Sequence, residues 1–274
     1  MSALIKKLYE ALDKREAVAK CTVVATSGST PLKASAAMIV WSDGKSFGTI
    51  GGGNIEKTVI EDTIRLIPEG NPELKKYNLL DQDMCCGGTM QIFIEPMKRA
   101  NQLLIFGAGH IGSNIAFFAQ NLDFKTVVID ERREMLDNPY FSSAENIQFN
   151  HIDSFSKLKL DTDTYVVICT HKHDYDREIL AYCINKPTAY LGMIGSRRKV
   201  LVTRKRFLQN QLCLEEQLDR VDMPMGLNIG QNSPSVIALG IIAKITAISN
   251  GISLPSEKRI TEYEKATINS NGCC

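Results

Sequence analysis

Four short segments of this chain combine residue types that can bind or react. The first is Gly107-Ala108-Gly109-His110-Ile111-Gly112, a G-x-G-x-x-G, with Asp130 closing the next apolar run. In a strand–turn–helix unit the first glycine makes the tight turn. The second lets a phosphate approach backbone N–H groups, and the third lets helix and strand pack closely. A helix N-terminus favours an anion, and an acid placed like Asp130 suits a ribose. Strand, helix and acid fall where the motif requires, so the segment specifies a Rossmann unit. Its ligand does not follow from the fold.

The second segment, Gly192 to Lys199, again runs strand to loop to helix through Gly195 and Ser196. Ser196 suits a cap, and Arg197 and Arg198 occupy the first helical turn. Cations there oppose the helix dipole, which suits an anion held between guanidinium forks. A solvated basic helix end is the alternative. The third segment, Thr170-His171-Lys172-His173, follows an apolar strand. Two histidines do not complete a metal site, and capping or surface roles are the plainer uses. At the carboxyl edge of a parallel sheet, His171, Arg197 and the glycine loop would face one crevice. The fourth is Cys86-Gly87-Gly88, whose bare backbone suits a reactive thiol or a soft-metal ligand. On composition alone, a turn whose cysteine is merely small is the plainer reading. Gly51-Gly52-Gly53 is either a second anion-binding loop or a turn.

The elements that would position these residues divide near residue 98. Before it, the spacing predicts a helix over Ser2–Arg15 and strands at Ala19–Thr26, Ala37–Trp41 and Lys45–Ile50. A helix capped by Asn54 follows, then strands at Leu74–Leu80 and Met90–Ile94. This is a mixed α+β domain over 1–98. From 99 to 255, short apolar strands alternate with helices: strand Leu103–Phe106, helix Ile111–Gln120, strand Lys125–Asp130, strand Tyr165–Cys169, helix Asp176–Cys183, strand Ala189–Met193 and helix Arg197–Phe207. That pattern predicts an α/β, doubly wound parallel sheet. Ser233-Pro234 opens a final helix through Ser249, apolar over most of its circumference and expected to be buried, between domains or between subunits. Residues 256–274 read as a loosely ordered tail.

Composition narrows the class. Of 274 residues, 44% are hydrophobic and 23% charged, with a net charge of +1. That is globular usage with no electrostatic bias toward nucleic acid or an anionic membrane. Met1–Glu10 carries charge where a signal peptide would be apolar, and no apolar run approaches the roughly 18 residues of a membrane span. The eight cysteines show no C-x-x-C spacing, so structural zinc lacks its signature. A reducing, cytoplasmic setting is expected.

Taken together, these segments resemble the XdhC/CoxI family of xanthine dehydrogenase accessory factors. The resemblance rests on Gly28-Ser29-Thr30-Pro31, Gly51-Gly52-Gly53-x-x-Glu56, Cys86-Gly87-Gly88 with Glu95-Pro96, and the Rossmann glycines. It continues through Asp130-x-Arg132, Thr170-His171 with Asp176, Gly192 to Lys199, and Gly226-Leu227-x-Ile229-Gly230. It implies a protein that binds the molybdenum cofactor (molybdopterin), supports its sulfuration and delivers it to a molybdenum hydroxylase. A cysteine desulfurase and a second copy of the chain would be further partners. Cys86 matches the family's cofactor-linked cysteine, the position implied for catalysis and for the metal end. The phosphate end would take Gly107, Gly109, His110, Gly112, Asp130, His171, Gly195, Ser196, Arg197 and Arg198. The chain departs from the family pattern at Leu32 to Ser35, at Asn54, and at Ser235-Val236 and Lys244 of the last helix. An NAD(P)-dependent oxidoreductase using the Rossmann unit directly is the competing expectation.

Overall fold

In the computed structural model, the described residues are 3–80, 87–149, 155, 158–230 and 233–254. Cys86 and the expected tail at 256–274 lie outside them. The chain divides into two compact units, residues 1–100 and 101–274.

The first unit holds β1 (Val18–Ser27), β2 (Ala37–Trp41), β3 (Ser46–Thr49), β4 (Glu73–Asn78) and β5 (Thr89–Pro96). They form one antiparallel sheet in the order β3-β2-β1-β5-β4. Alternation sends Ala19, Cys21, Val23, Met90, Ile92 and Ile94 to one face, where Ile55, Val59 and Leu66 of α2 (Gly53–Glu69) cover them. Val18 and Ile39 point to the other face and pack on Ala11 of α1 (Ala3–Asp13). Each face of the sheet therefore meets one helix, as the period-two pattern demands.

The second unit is doubly wound. Strands β6 (Asn101–Phe106), β7 (Phe124–Asp130), β8 (Glu145–Gln148), β9 (Thr164–Ile168) and β10 (Tyr190–Met193) lie in the order β10-β9-β6-β7-β8, all parallel. One face buries Leu103, Ile105, Val128 and Val167 under α3 (His110–Ala119) and α8 (Pro234–Ser249). The other buries Leu104, Phe106, Val127, Ile129, Val166 and Ile168 under α5 (His173–Cys183) and α6 (Arg197–Gln209). Near-continuous apolar strands are what burial on both faces requires. A rudimentary sixth strand adds one parallel bridge, Gly192 to Asp222. Asp222 then accepts from the Tyr190 hydroxyl at 2.6 Å, the Gly226 N–H at 2.8 Å and Lys244 at 2.7 Å. That gives the unusual lysine of the last helix a fixed partner.

Three expectations are revised. Helix α2 begins at Gly53 with Gly52, not Asn54, as its N-cap, and no side chain caps it. Helix α8 buries only one side: Ala238, Ile241, Ile242 and Ile245 face the sheet while Leu239 and Ala243 are exposed in the single chain. The second unit also contains elements not anticipated: β8, α4 (Arg133–Leu136) and α7 (Glu215–Asp219). Among the described residues no helix is long and apolar enough to cross a membrane.

Candidate functional site

The chain runs from β6 outward through β7 and β8, then returns past β6 to β9 and β10, so the winding reverses between β6 and β9. In open α/β sheets the crevice at the carboxyl ends of two such strands is the ligand position. The glycine loop leaves β6 at this point, and its three glycines have different reasons to be glycine. Gly107 has φ +119°, and a Cβ there would stand 2.3 Å from the Cys169 carbonyl oxygen at the end of β9. A Cβ on Gly112 would stand 1.9 Å from the Gly107 carbonyl oxygen, so that glycine permits α3 to pack against the turn. Around Gly109, the N-cap of α3, a Cβ would meet nothing within 4 Å. The next residue, His110, is exposed at the first position of the helix.

Asp130 ends β7 beside this loop. It is 2% exposed. Its Oδ2 accepts from the Ala108 N–H at 2.7 Å and from Arg132 Nη2 at 2.9 Å. Its Oδ1 accepts from the Arg132 N–H at 3.0 Å and from Arg132 Nε at 2.9 Å. Burial by itself would raise the carboxyl; the Arg132 bonds and the Ala108 N–H outweigh it and hold Asp130 below its ordinary value. The next residue, Glu131, reaches toward the loop after β9, accepting from Lys172 at 2.9 Å and standing 3.2 Å from His171 Nε2. Lys172, then the Tyr175 hydroxyl, hold the Glu131 carboxyl below its ordinary value.

On the far side of the crevice Asp176 is fully buried. Its Oδ1 accepts from the Thr170 N–H at 3.0 Å and hydroxyl at 2.7 Å, and its Oδ2 from Lys199 at 2.5 Å. Ser196 caps α6 by accepting from the Lys199 N–H. Arg197 and Arg198 are exposed in the first turn of that helix, and Gly195 precedes the cap. A Cβ on Gly195 would stand 3.0 Å from Cδ of the Lys199 side chain. The carboxyl edge of this unit therefore carries His110, His171, Arg132, Lys172, Arg197, Arg198 and Lys199, with its acids Asp130, Glu131 and Asp176 already engaged by neighbours. Sequence pattern assigns no role to Glu131, Arg132 or Lys199. The one available signal is an arginine two residues beyond a strand-end acid.

In the first unit three glycine loops converge. A Cβ on Gly88 would stand 2.3 Å from the Ser29 carbonyl oxygen, and one on Gly51 2.7 Å from Pro31. Two of the triplet's N–H groups have internal partners: Glu56 Oε1 accepts from the Gly52 N–H at 2.9 Å, as it does from the Ile50 N–H at 3.1 Å and the Thr49 hydroxyl at 2.6 Å, and Thr49 Oγ1 accepts from the Gly51 N–H at 3.1 Å. An internal carboxylate thus takes the N–H groups of Ile50 and Gly52. Desolvation would raise the Glu56 carboxyl, yet these bonds hold it below its ordinary value. Cys86 lies outside the described residues. Burial pushes the Cys21 thiol up to about 11 and the Cys183 thiol up to about 12, and raises Cys169 and Cys213 as well. Among the described residues no group of three or more His, Cys, Asp or Glu side chains is placed to hold a metal ion.

A parallel sheet in 3-2-1-4-5 order with a glycine loop at its switch point defines a Rossmann-type protein. The XdhC Rossmann domain matches residues 103–245, and the XdhC and CoxI family matches residues 11–78. The chain belongs to the XdhC and CoxI family. It is 35% identical over 243 residues to the uncharacterized protein YqeB of Escherichia coli (strain K12), covering 85% of this chain and 43% of the relative. It is 25% identical over 162 residues to a probable xanthine dehydrogenase subunit of Bacillus subtilis (strain 168), covering 57% of this chain and 46% of that one. It is 19% identical over 279 residues to the molybdenum cofactor insertion chaperone PaoD of E. coli (strain K12), covering 89% and 87%. The chain thus spans less than half the length of the first two relatives.

Proposed function

We propose that this chain is an accessory protein that binds the molybdenum cofactor and assists its sulfuration and its insertion into a xanthine-dehydrogenase-type molybdenum hydroxylase. The observation that carries this reading is the contrast within the glycine loop. The protein's own backbone forbids a side chain at Gly107 and Gly112, whereas Gly109 faces open space at the N-terminus of α3. A gap of that kind, lined by N–H groups at a helix start, suits an incoming phosphate. The phosphate of a pyranopterin fits it, with Arg197 and Arg198 supplying charge and His110 and His171 ring nitrogens along the same edge. The names of PaoD and of the B. subtilis relative support cofactor insertion and a xanthine-dehydrogenase-type client.

In this reading the cofactor supplies the redox chemistry of the client enzyme, and the chain's own residues bind and shield it. Cys86 is the proposed soft ligand for the metal end. The partners are the apo-hydroxylase, a cysteine desulfurase and, through α8, a second copy of the chain, all in the cytoplasm. The test is to purify the chain from cells that make the cofactor, oxidise what it carries, and quantify the released fluorescent pterin per chain. Wild type is expected to carry pterin, and Arg197→Ala, Arg198→Ala and Cys86→Ala to carry less. A wild type that carries none contradicts the reading.

A further inference from the structure

We propose that Arg132 determines the ligand specificity of the crevice: it consumes the acid that would hold a ribose diol and presents a guanidinium edge, so that a phosphate is accepted there and an unphosphorylated ribose is refused. The inference rests on the crevice being the ligand site and says what kind of ligand end it recognises.

In a dinucleotide site, a carboxylate about 20 residues beyond the glycine loop accepts hydrogen bonds from the ribose hydroxyls. Asp130 holds that position, 22 residues beyond Ala108. A carboxylate has about four acceptor positions, and all of those on Asp130 are filled: two by the side chain of Arg132, one by its N–H and one by the Ala108 N–H. Arg132 uses only Nε and Nη2 for this bond, and its side chain is 28% exposed. The bidentate pairing fixes the plane of the guanidinium and leaves Nη1 directed away from Asp130. The end of β7 consequently offers donors where a ribose site offers acceptors. A ribose diol finds the acceptors of Asp130 already taken; a phosphate meets a fixed cation.

Two sources of that phosphate are separable by experiment. NADH and NADPH are titrated into the full chain by fluorescence, and inorganic phosphate is tested as a competitor. Wild type is expected to show no saturable NADH binding in the millimolar range. Arg132→Ala, which frees Asp130, is expected to gain NADH affinity at least tenfold, and Arg132→Lys, which frees part of it, to gain less. NADPH binding by wild type, competed by phosphate and lost in Arg132→Ala, identifies a ribose 2′-phosphate as the source. Phosphate binding, read by calorimetry and weakened in Arg132→Ala, without a preference for NADPH identifies a phosphomonoester. Saturable NADH binding by wild type overturns the proposal. So does an unchanged NADH affinity in Arg132→Lys that melts cooperatively. A chain that carries no pterin but behaves this way toward the two nucleotides would sink the cofactor reading and leave this one standing.

Discussion

Lys199 Nζ lies 2.5 Å from Asp176 Oδ2, and the carboxylate it meets is fully buried at the carboxyl edge of the Rossmann sheet. The lysine sits in the first turn of α6, where a cation opposes the helix dipole, and the aspartate ties it to the loop after β9 through Thr170. The two loops that bound the crevice on this side are thus joined by one ion pair. Removing one partner of a buried pair leaves an uncompensated charge and costs about 3–5 kcal/mol. Lys199→Met is therefore expected to lower the unfolding free energy by that amount, read by urea titration with circular dichroism. A loss below about 1 kcal/mol would class the pair with exposed surface bridges.

The glycines of the loop predict opposite outcomes from the same substitution. Gly112→Ala forces a methyl to within 1.9 Å of the Gly107 carbonyl oxygen and is expected to destabilise by about 1–3 kcal/mol or more. Gly109→Ala meets no protein atom and is expected to keep the wild-type melting temperature while losing bound pterin. Equal stability losses in the two variants would remove the distinction on which the ligand gap rests.

Asp130 makes the second unit acid-sensitive with a definite sign. Its folded carboxyl lies below its ordinary value. Its stabilising contribution is therefore complete above the unfolded value near ~3.9 and is lost as pH falls through the lower, folded value. The stability gap between wild type and Asp130→Asn is expected to be constant near neutrality and to shrink as the pH approaches about 3. A gap that widens on acidification would mean that the Arg132 bonds do not govern this carboxylate.

Much of this architecture is legible in the residues themselves. The apolar runs ending at Phe106, Asp130 and Met193, and the glycine spacing after the first of them, suffice for a doubly wound sheet. Strand β8 is not legible because Glu-Asn-Ile-Gln is a largely exposed edge strand with no apolar period to read. The charge pairings at the crevice are illegible for a different reason. Asp130 stands out as a strand-end acid, but its being spent on Arg132 depends on a turn that folds the chain back within two residues. Glu131 and Lys172 are 41 residues apart, and only the order β7-β6-β9 brings their loops together. The glycine triplet reads as an anion loop or a turn until Glu56 is seen to accept from the Gly52 N–H.

Thiol reactivity is expected to separate Cys86 from the described cysteines. Burial raises Cys21, Cys169 and Cys183, and a buried neutral thiol is inert. Alkylation at about pH 8 mapped by mass spectrometry is expected to label Cys86 first and these three only on unfolding. Labelling of Cys169 at the rate of Cys86 would contradict the assignment of Cys86 as the accessible soft ligand.

The central claim is tested most directly by activation. The purified chain, loaded with molybdenum cofactor, is mixed with an apo molybdenum hydroxylase, and purine-dependent activity is followed over time. Wild type is expected to raise the activity above that of free cofactor and Cys86→Ala to fail, while neither reduces NAD with purine in the absence of the hydroxylase. Purine-dependent NAD reduction by the chain alone, or no activation by wild type, would contradict the account.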